Sequence, residues 1–372
     1  MFDGFLRVAA ATPDIRVADC NFNGASAAAL VSEAYEQGVS LLVLPELCLT
    51  GYTCSDLFLQ ESLLDGAVKA LLTLTEATRD KNMVVLAGLP LTVNGVLYNV
   101  AAVLHDGDIL GFVPKSYLPT YSEFYEGRHY HSGADIEADV LFNGRTYPFG
   151  TRLLFRCCQM PAFTLGIEIC EDLWVAQPPS ISHALAGATV IANLSASDET
   201  TGKDIYRRSL VSGQSARLVC GYIYADAGEG ESSTDLVFGA HNLICENGSI
   251  LAESERFSNQ MIMADMDMSK LISERRRMTT WQPKFDNGYR VIDFDLEMHE
   301  VDLRRFIDPH PFVPDDAMDR TRRCEEILTI QAMGLKKRLA HTHCRHAVVG
   351  ISGGLDSTLA LLVTVRAFDM LD

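Results

Sequence analysis

From the N-terminus to about residue 270, short runs rich in leucine and β-branched residues alternate with longer stretches of helical spacing, and Gly, Pro, Asn or Asp bounds most runs. Alternation of this kind predicts α/β layering. The pattern predicts strands over 6–11, 41–44, 83–88, 99–105, 164–169, 190–194 and 221–225. Several of these are apolar throughout, which suits strands covered on both faces. Asp106-Gly107 and Asn247-Gly248 stand between apolar segments and supply the positive φ angles of tight turns, so hairpins are expected to join the sheets.

Between about 275 and 316 the periodicity fails: Trp281-Gln282-Pro283, Pro309, Pro311 and Pro314 interrupt every pattern. Beyond it the spacing predicts a helix over 316–339, a strand over 346–351 and a helix over 357–371. One strand and two helices cannot bury a doubly wound sheet, so a second domain is expected only as its opening unit. The organisation expected is a domain over 1–270, a linker over 271–315 and the beginning of a second domain over 316–372.

At 372 residues the chain exceeds the size at which one core keeps growing, which agrees with that division. A formal net charge of −18 argues against nucleic acid or an anionic membrane as partner, because either would repel the chain. No apolar run reaches the roughly 18 residues that cross a bilayer. The ten cysteines lack the dense spacing of a disulfide scaffold. A cytoplasmic protein with reduced thiols is the expectation.

Three strand ends carry a reactive side chain: Glu46 in LVLPELCLTGY, Lys115 in GFVPKSYLPTYSEFYEGR and Cys170 in FTLGIEICEDLW. A thiol that attacks an amide needs a base for its proton, a cation or donor for the oxyanion and a route to protonate departing ammonia. Glu, Lys and Cys meet that list. Each alone has a plainer reading: a small core residue for Cys170, a solvated loop charge for Lys115 and a helix cap for Glu46.

Together with LPELCLTGYTCSDLF, KSYLPTYSEFYEGR, ICEDLW, NLSASDETTGK and GESSTDLVFGAHNLICENG, these residues resemble the nitrilase, or carbon-nitrogen hydrolase, superfamily. More narrowly, the set over 1 to about 270 is similar to the glutaminase domain of bacterial glutamine-dependent NAD synthetases. The resemblance implies a four-layer αββα sandwich, Glu46 as general base, Lys115 stabilising the tetrahedral intermediate and Cys170 forming a glutamyl thioester. It implies that Tyr121 and Phe124 line the glutamine pocket and that Glu126 positions the lysine or the substrate. Ser197 and Lys203 would meet the α-amino and α-carboxylate groups, and Glu171 would join the oxyanion site through its backbone amide. Some relatives carry arginine where Lys203 stands, and a lysine lacks the bidentate fork. A lysine beside Cys170 is also expected to favour the thiolate.

After the predicted strand, Ser352-Gly353-Gly354-Leu355-Asp356-Ser357 opens a helix. Paired glycines let backbone amides approach an anion, and the helix N-terminus favours it. The loop is similar to the pyrophosphate loop of ATP pyrophosphatases, so a truncated α/β unit of the adenine nucleotide alpha hydrolase type is implied. That family uses ATP and Mg2+ to adenylate deamido-NAD, which ammonia from the glutaminase then converts to NAD; the glutaminase step itself needs no cofactor. No resident metal site is expected at 341–346, despite its histidines and cysteine, and a homo-oligomer is implied by the family. A free-standing amidase on another small substrate, and a scaffold that has lost its chemistry, remain as alternatives.

Overall fold

Strands apolar on both faces demand two covers, and in the computed structural model two mixed sheets supply one cover for each other while helices supply the second. The structure describes residues 4–284, 288–314 and 316–371. The first sheet takes β1 (Phe5–Ala11), β2 (Leu41–Val43), β3 (Val84–Val93), β4 (Val96–His105), β5 (Asp108–Pro114), β6 (Glu137–Phe142) and β7 (Arg145–Gly150). The second takes β8 (Leu153–Cys157), β9 (Thr164–Ile169), β10 (Val190–Ser195), β11 (Gly221–Asp226), β12 (Leu243–Glu246) and β13 (Ser249–Glu253). The chain then returns as β14 (Met261–Asp267) to the edge of the first sheet, antiparallel to β1, and as β15 (Arg290–Phe294) to the edge of the second, parallel to β8.

Between the sheets lies a core that includes Leu6, Val8, Leu41, Val43, Leu86, Val103, Phe155, Ile167, Ile169, Ile223 and Ile244. The outer face of the first sheet is covered by α1 (Cys20–Glu36) and α2 (Glu61–Ala77), which pack closely where Gly24 meets Ala70. α3 (Pro179–Leu185) and α4 (Lys203–Leu218) cover the outer face of the second. These are the four αββα layers expected of a nitrilase sandwich.

The strands begin and end within a few residues of the predicted positions, with β3 running on to Val93 and β4 starting at Val96. Asp106-Gly107 and Asn247-Gly248 turn with φ of 45° and 73°, and 45° and 86°. The same dipeptide at Asn94-Gly95 and Asn143-Gly144 closes two further hairpins, β3–β4 and β6–β7, which were not predicted. Residues 271–305, expected as linker, include most of α5 (Met268–Arg277) and all of β15, and the first compact unit runs to Arg305. Arg275 is buried there, donating to the carbonyls of Ala188, Leu218 and Val219. The prolines at 309, 311 and 314 do lie outside regular elements.

The second unit, from Phe306, contains α6 (Ala317–Thr342) and α7 (Leu355–Asp369). Asp316 caps α6 by accepting from Asp319 N at 2.7 Å. The two helices meet through Ala332, Leu339 and Ala367, and Arg366 of α7 pairs with Glu325 of α6. The strand predicted over 346–351 does not form: the segment is largely exposed and pairs with no other strand among the described residues. A β-strand is defined by its ladder, so the apolar run stays irregular.

Candidate active site

The chain leaves β2, β5, β9 and β10 at one end of the facing sheets, which brings Glu46, Lys115, Cys170 and Ala196 together. Gly88 of β3 makes room for the first of these turns: a Cβ there would collide with the Leu47 amide and stand 2.7 Å from the Pro45 carbonyl oxygen. Lys115 Nζ donates to Glu46 Oε1 and to Glu126 Oε1, each at 2.7 Å, and all three side chains are buried. Glu46 is further fixed by Asn99 Nδ2 at 2.6 Å on Oε1 and by the Ala196 amide at 2.9 Å on Oε2. Tyr52 OH donates to Glu126 Oε1 at 2.8 Å. A cavity lined by Tyr52, Phe124, Glu126, Tyr130 and Leu236 adjoins this cluster.

Cys170 opens a short 3-10 turn, Cys170–Leu173, with its own φ at 45°, a strained value for a residue with a side chain. Its amide donates to Asn193 Oδ1 at 3.0 Å, which holds the turn against β10. Two residues on, the buried Asp172 carboxylate accepts from Tyr117 N at 2.8 Å, Ser116 N at 3.2 Å and Ile169 N at 3.0 Å. Below the turn, Tyr222 OH binds both Asn193 and the buried Glu168.

Burial alone would depress the Lys115 ammonium, yet the charges of Glu126, Glu46 and Cys170 outweigh it and hold the lysine well above its ordinary value. Burial pushes the Cys170 thiol well up, the Glu46 charge adds to that, and Lys115 offsets only part. Lys115 does favour the thiolate, as expected, but desolvation and a carboxylate outweigh one cation and hold Cys170 as the thiol. Burial also raises the Glu126 carboxyl to about 7, opposed by Lys115 and assisted by Glu46. The same cause brings Asp172 to about 7.

The remaining expected residues gather around this centre in three ways. Tyr121, exposed, donates its hydroxyl to Glu171 Oε1 at 2.8 Å, so both side chains stand at the surface above Cys170's turn. Lys203 is paired with Asp198 and lies over the rings of Trp174 and Phe124 at 5.3 and 5.7 Å. Ser197 is buried; its amide donates to Asp226 Oδ1 at 2.9 Å and its hydroxyl accepts from Arg207 at 3.3 Å. Arg207, fully buried, also meets Glu199 and His241.

Residues 352–357 stand apart in the second unit and are largely exposed. Gly353 has φ of 83°, and Ser352 N faces Ser357 Oγ at 3.3 Å. Gly354, which precedes α7, donates its amide to Ser352 Oγ at 3.4 Å, and open space surrounds the place a Gly353 side chain would take. Among the described residues no group of three or more His, Cys, Asp or Glu side chains is placed to hold a metal ion, and no helix is long and apolar enough to cross a membrane.

Sequence reasoning missed Tyr52, Asn99, Asp172, Asn193 and Arg207. Asn99 in VLYNVAAVL and Asn193 in VIANLS carried a signal: a polar side chain inside an apolar strand must find a partner, and both do so at the site.

This fold and site define a carbon-nitrogen hydrolase: residues 7–276 match that family's model, and the chain belongs to the family. The chain is 44% identical over 376 residues to the glutamine-dependent NAD(+) synthetase of Mycobacterium tuberculosis, covering 98% of this chain and 55% of the relative. It thus spans about half the length of the curated relatives it matches. A crystal structure of a glutamine-dependent NAD(+) synthetase from Cytophaga hutchinsonii superimposes with a TM-score of 0.63 at 30% identity, over 70% of this chain and 43% of that one. A nitrilase-superfamily amidase from Nesterenkonia AN1, at 20% identity and a TM-score of 0.55 over 73% of this chain and 94% of its own, shares the fold.

Proposed function

We propose that this chain hydrolyses glutamine through a Cys170 thioester and that the ammonia serves ATP-dependent amidation of deamido-NAD, the synthesis for which its relatives are named. The observation that carries the chemistry is Lys115 held between Glu46 and Glu126, buried next to Cys170. Glu46 takes the proton of the thiol as Sγ attacks the amide carbon. Lys115, charged throughout, and the backbone amide at Glu171 receive the oxyanion. The intermediate collapses as Glu46 passes its proton to the departing nitrogen, which leaves as ammonia; Glu46 then activates water to hydrolyse the thioester. Glu126 keeps Lys115 in place, and Tyr121, Phe124, Ser197 and Lys203 select the substrate, Lys203 exchanging Asp198 for the α-carboxylate.

The loop from Ser352 to Ser357 suits the phosphate part of a nucleotide: at the N-terminus of α7, the Ser352 and Gly354 amides would exchange the Ser357 and Ser352 hydroxyls for phosphate oxygens. Asp356 in the first turn repels an anion unless a cation accompanies it, which is consistent with ATP bound with Mg2+. ATP bound there would supply the activation of deamido-NAD. On this reading the first unit, to Arg305, is the glutaminase domain, and the second, from Phe306, belongs to a synthetase domain. The protein is then cytoplasmic and assembled from identical copies.

Ammonia release from glutamine, with asparagine and aliphatic amides as comparison substrates, tests the proposal. Wild-type turnover that prefers glutamine and falls at least about 10³-fold in Cys170→Ala is expected. Equal turnover of simple amides would replace glutamine as the substrate, and full activity in the variant would remove Cys170 from the mechanism.

A further inference from the structure

Lys115 comes from the first sheet and Cys170 from the second, so their separation depends on whatever joins the two loops that carry them. The Asp172 carboxylate does so. Oδ1 accepts from the amides of Tyr117 and Ser116, immediately after Lys115, at 2.8 and 3.2 Å. Oδ2 accepts from the amide of Ile169, immediately before Cys170, at 3.0 Å. The side chain is buried, and every one of these partners is a backbone N–H, a donor that neither rotates nor titrates. Short bonds from a carboxylate to fixed amides are among the stronger hydrogen bonds in proteins.

We propose that Asp172 is a positioning residue for the glutamine reaction: by binding the backbone beside both Lys115 and Cys170, its carboxylate sets how far the oxyanion-stabilising cation lies from the attacking sulfur. The inference rests on the glutamine reading above. Asp172 touches no reacting atom, and its effect passes through the two residues it holds. An amide in its place offers only one oxygen, and its NH2 group opposes whichever N–H it meets, so one of the two loops is released. A displacement of about 1 Å between reacting groups costs on the order of 10²-fold in rate. Ser197 and Lys203, which follow β10, still bind glutamine, so the larger loss falls on kcat.

The test measures kcat and KM for glutamine on the full chain, wild type against Asp172→Asn, together with the rate at which a glutamine-like diazoketone labels Cys170. The expected result is a kcat lower by about 10²-fold with KM within about threefold, and labelling slowed in parallel. Should that variant fail to fold, the Tyr117 amide is replaced by an ester through incorporation of the corresponding α-hydroxy acid, which deletes one N–H and leaves every side chain; about a tenfold loss in kcat is expected. A kcat within about threefold of wild type in the folded variant, or a loss confined to KM, overturns the inference while leaving the glutamine reading intact. A wild-type chain that neither hydrolyses glutamine nor takes up the diazoketone overturns the glutamine reading, and this inference with it.

Discussion

Two carboxylates contend for one ammonium at the centre of this site, and they are not equivalent. Glu46 has Asn99, Lys115 and the Ala196 amide as donors to its two oxygens, whereas Glu126 has Tyr52 and Lys115 on a single oxygen. Glu126 is accordingly the carboxyl that burial lifts to about 7. Its ionised form anchors Lys115, so kcat/KM for glutamine should rise with pH and level off above about 7. Glu126→Gln should lower the plateau by about tenfold, equivalent to about 1.4 kcal/mol, and shrink that inflection to the part that Asp172 contributes. A pH profile of both proteins checks this; an unchanged inflection in the variant would assign it to another group.

Among elements, the turn after β2 shows how packing constrains chemistry. Gly88 lies on β3, the neighbour of β2, and its missing side chain is where the Pro45 to Leu47 backbone passes. Gly88→Ala should destabilise the chain by about 1–3 kcal/mol in urea unfolding, as overpacking does, and should lower glutamine turnover because the displaced segment carries Glu46. Retained stability and activity would show that the turn yields. The strands over 164–169, 190–194 and 221–225 were legible because parallel strands inside a sandwich are buried on both faces and so mostly apolar, with polar exceptions such as Glu168 and Asn193. β6, with the pattern of burial alternating only at Val140 and Phe142, and β15, with a single buried residue, were not: edge strands need little apolar surface. The run over 346–351 misled for the opposite reason, since composition suited a strand and no ladder partner is there among the described residues. At the site, strand ends offered Glu46, Lys115 and Cys170 with plainer readings beside them, the surrounding motifs' resemblance to the carbon-nitrogen hydrolases singled them out, and the structure brings the three together. Asp172 stayed hidden because its role depends on backbone amides, which no side-chain pattern records.

For the molecule as a whole, buried acids set the response to pH. Glu126, Asp172 and Asp226 are each raised to about 7 by burial, the last against the opposing charge of Arg207. A carboxyl that holds its proton more tightly in the fold than in the unfolded chain contributes stability fully present below about 4 and lost as pH rises to about 7. The net charge of −18 acts in the same sense, since protonation relieves self-repulsion. The thermal midpoint should therefore fall by several degrees between about pH 5 and about pH 8, with a shallower fall in Asp226→Asn. A midpoint that rises across this range would mean that these acids are ionised in the fold at a lower pH than their burial dictates.

The protonated resting state of Cys170 has a consequence beyond the catalytic cycle. Peroxide and disulfides react with thiolates, and a thiol kept neutral in a dry pocket offers them little. On the proposed mechanism, reactivity is released only while an amide occupies the pocket and Glu46 has somewhere to move a proton. The nucleophile is guarded by its own desolvation, and the exposed Cys324 and Cys344 stand to meet oxidants before it does.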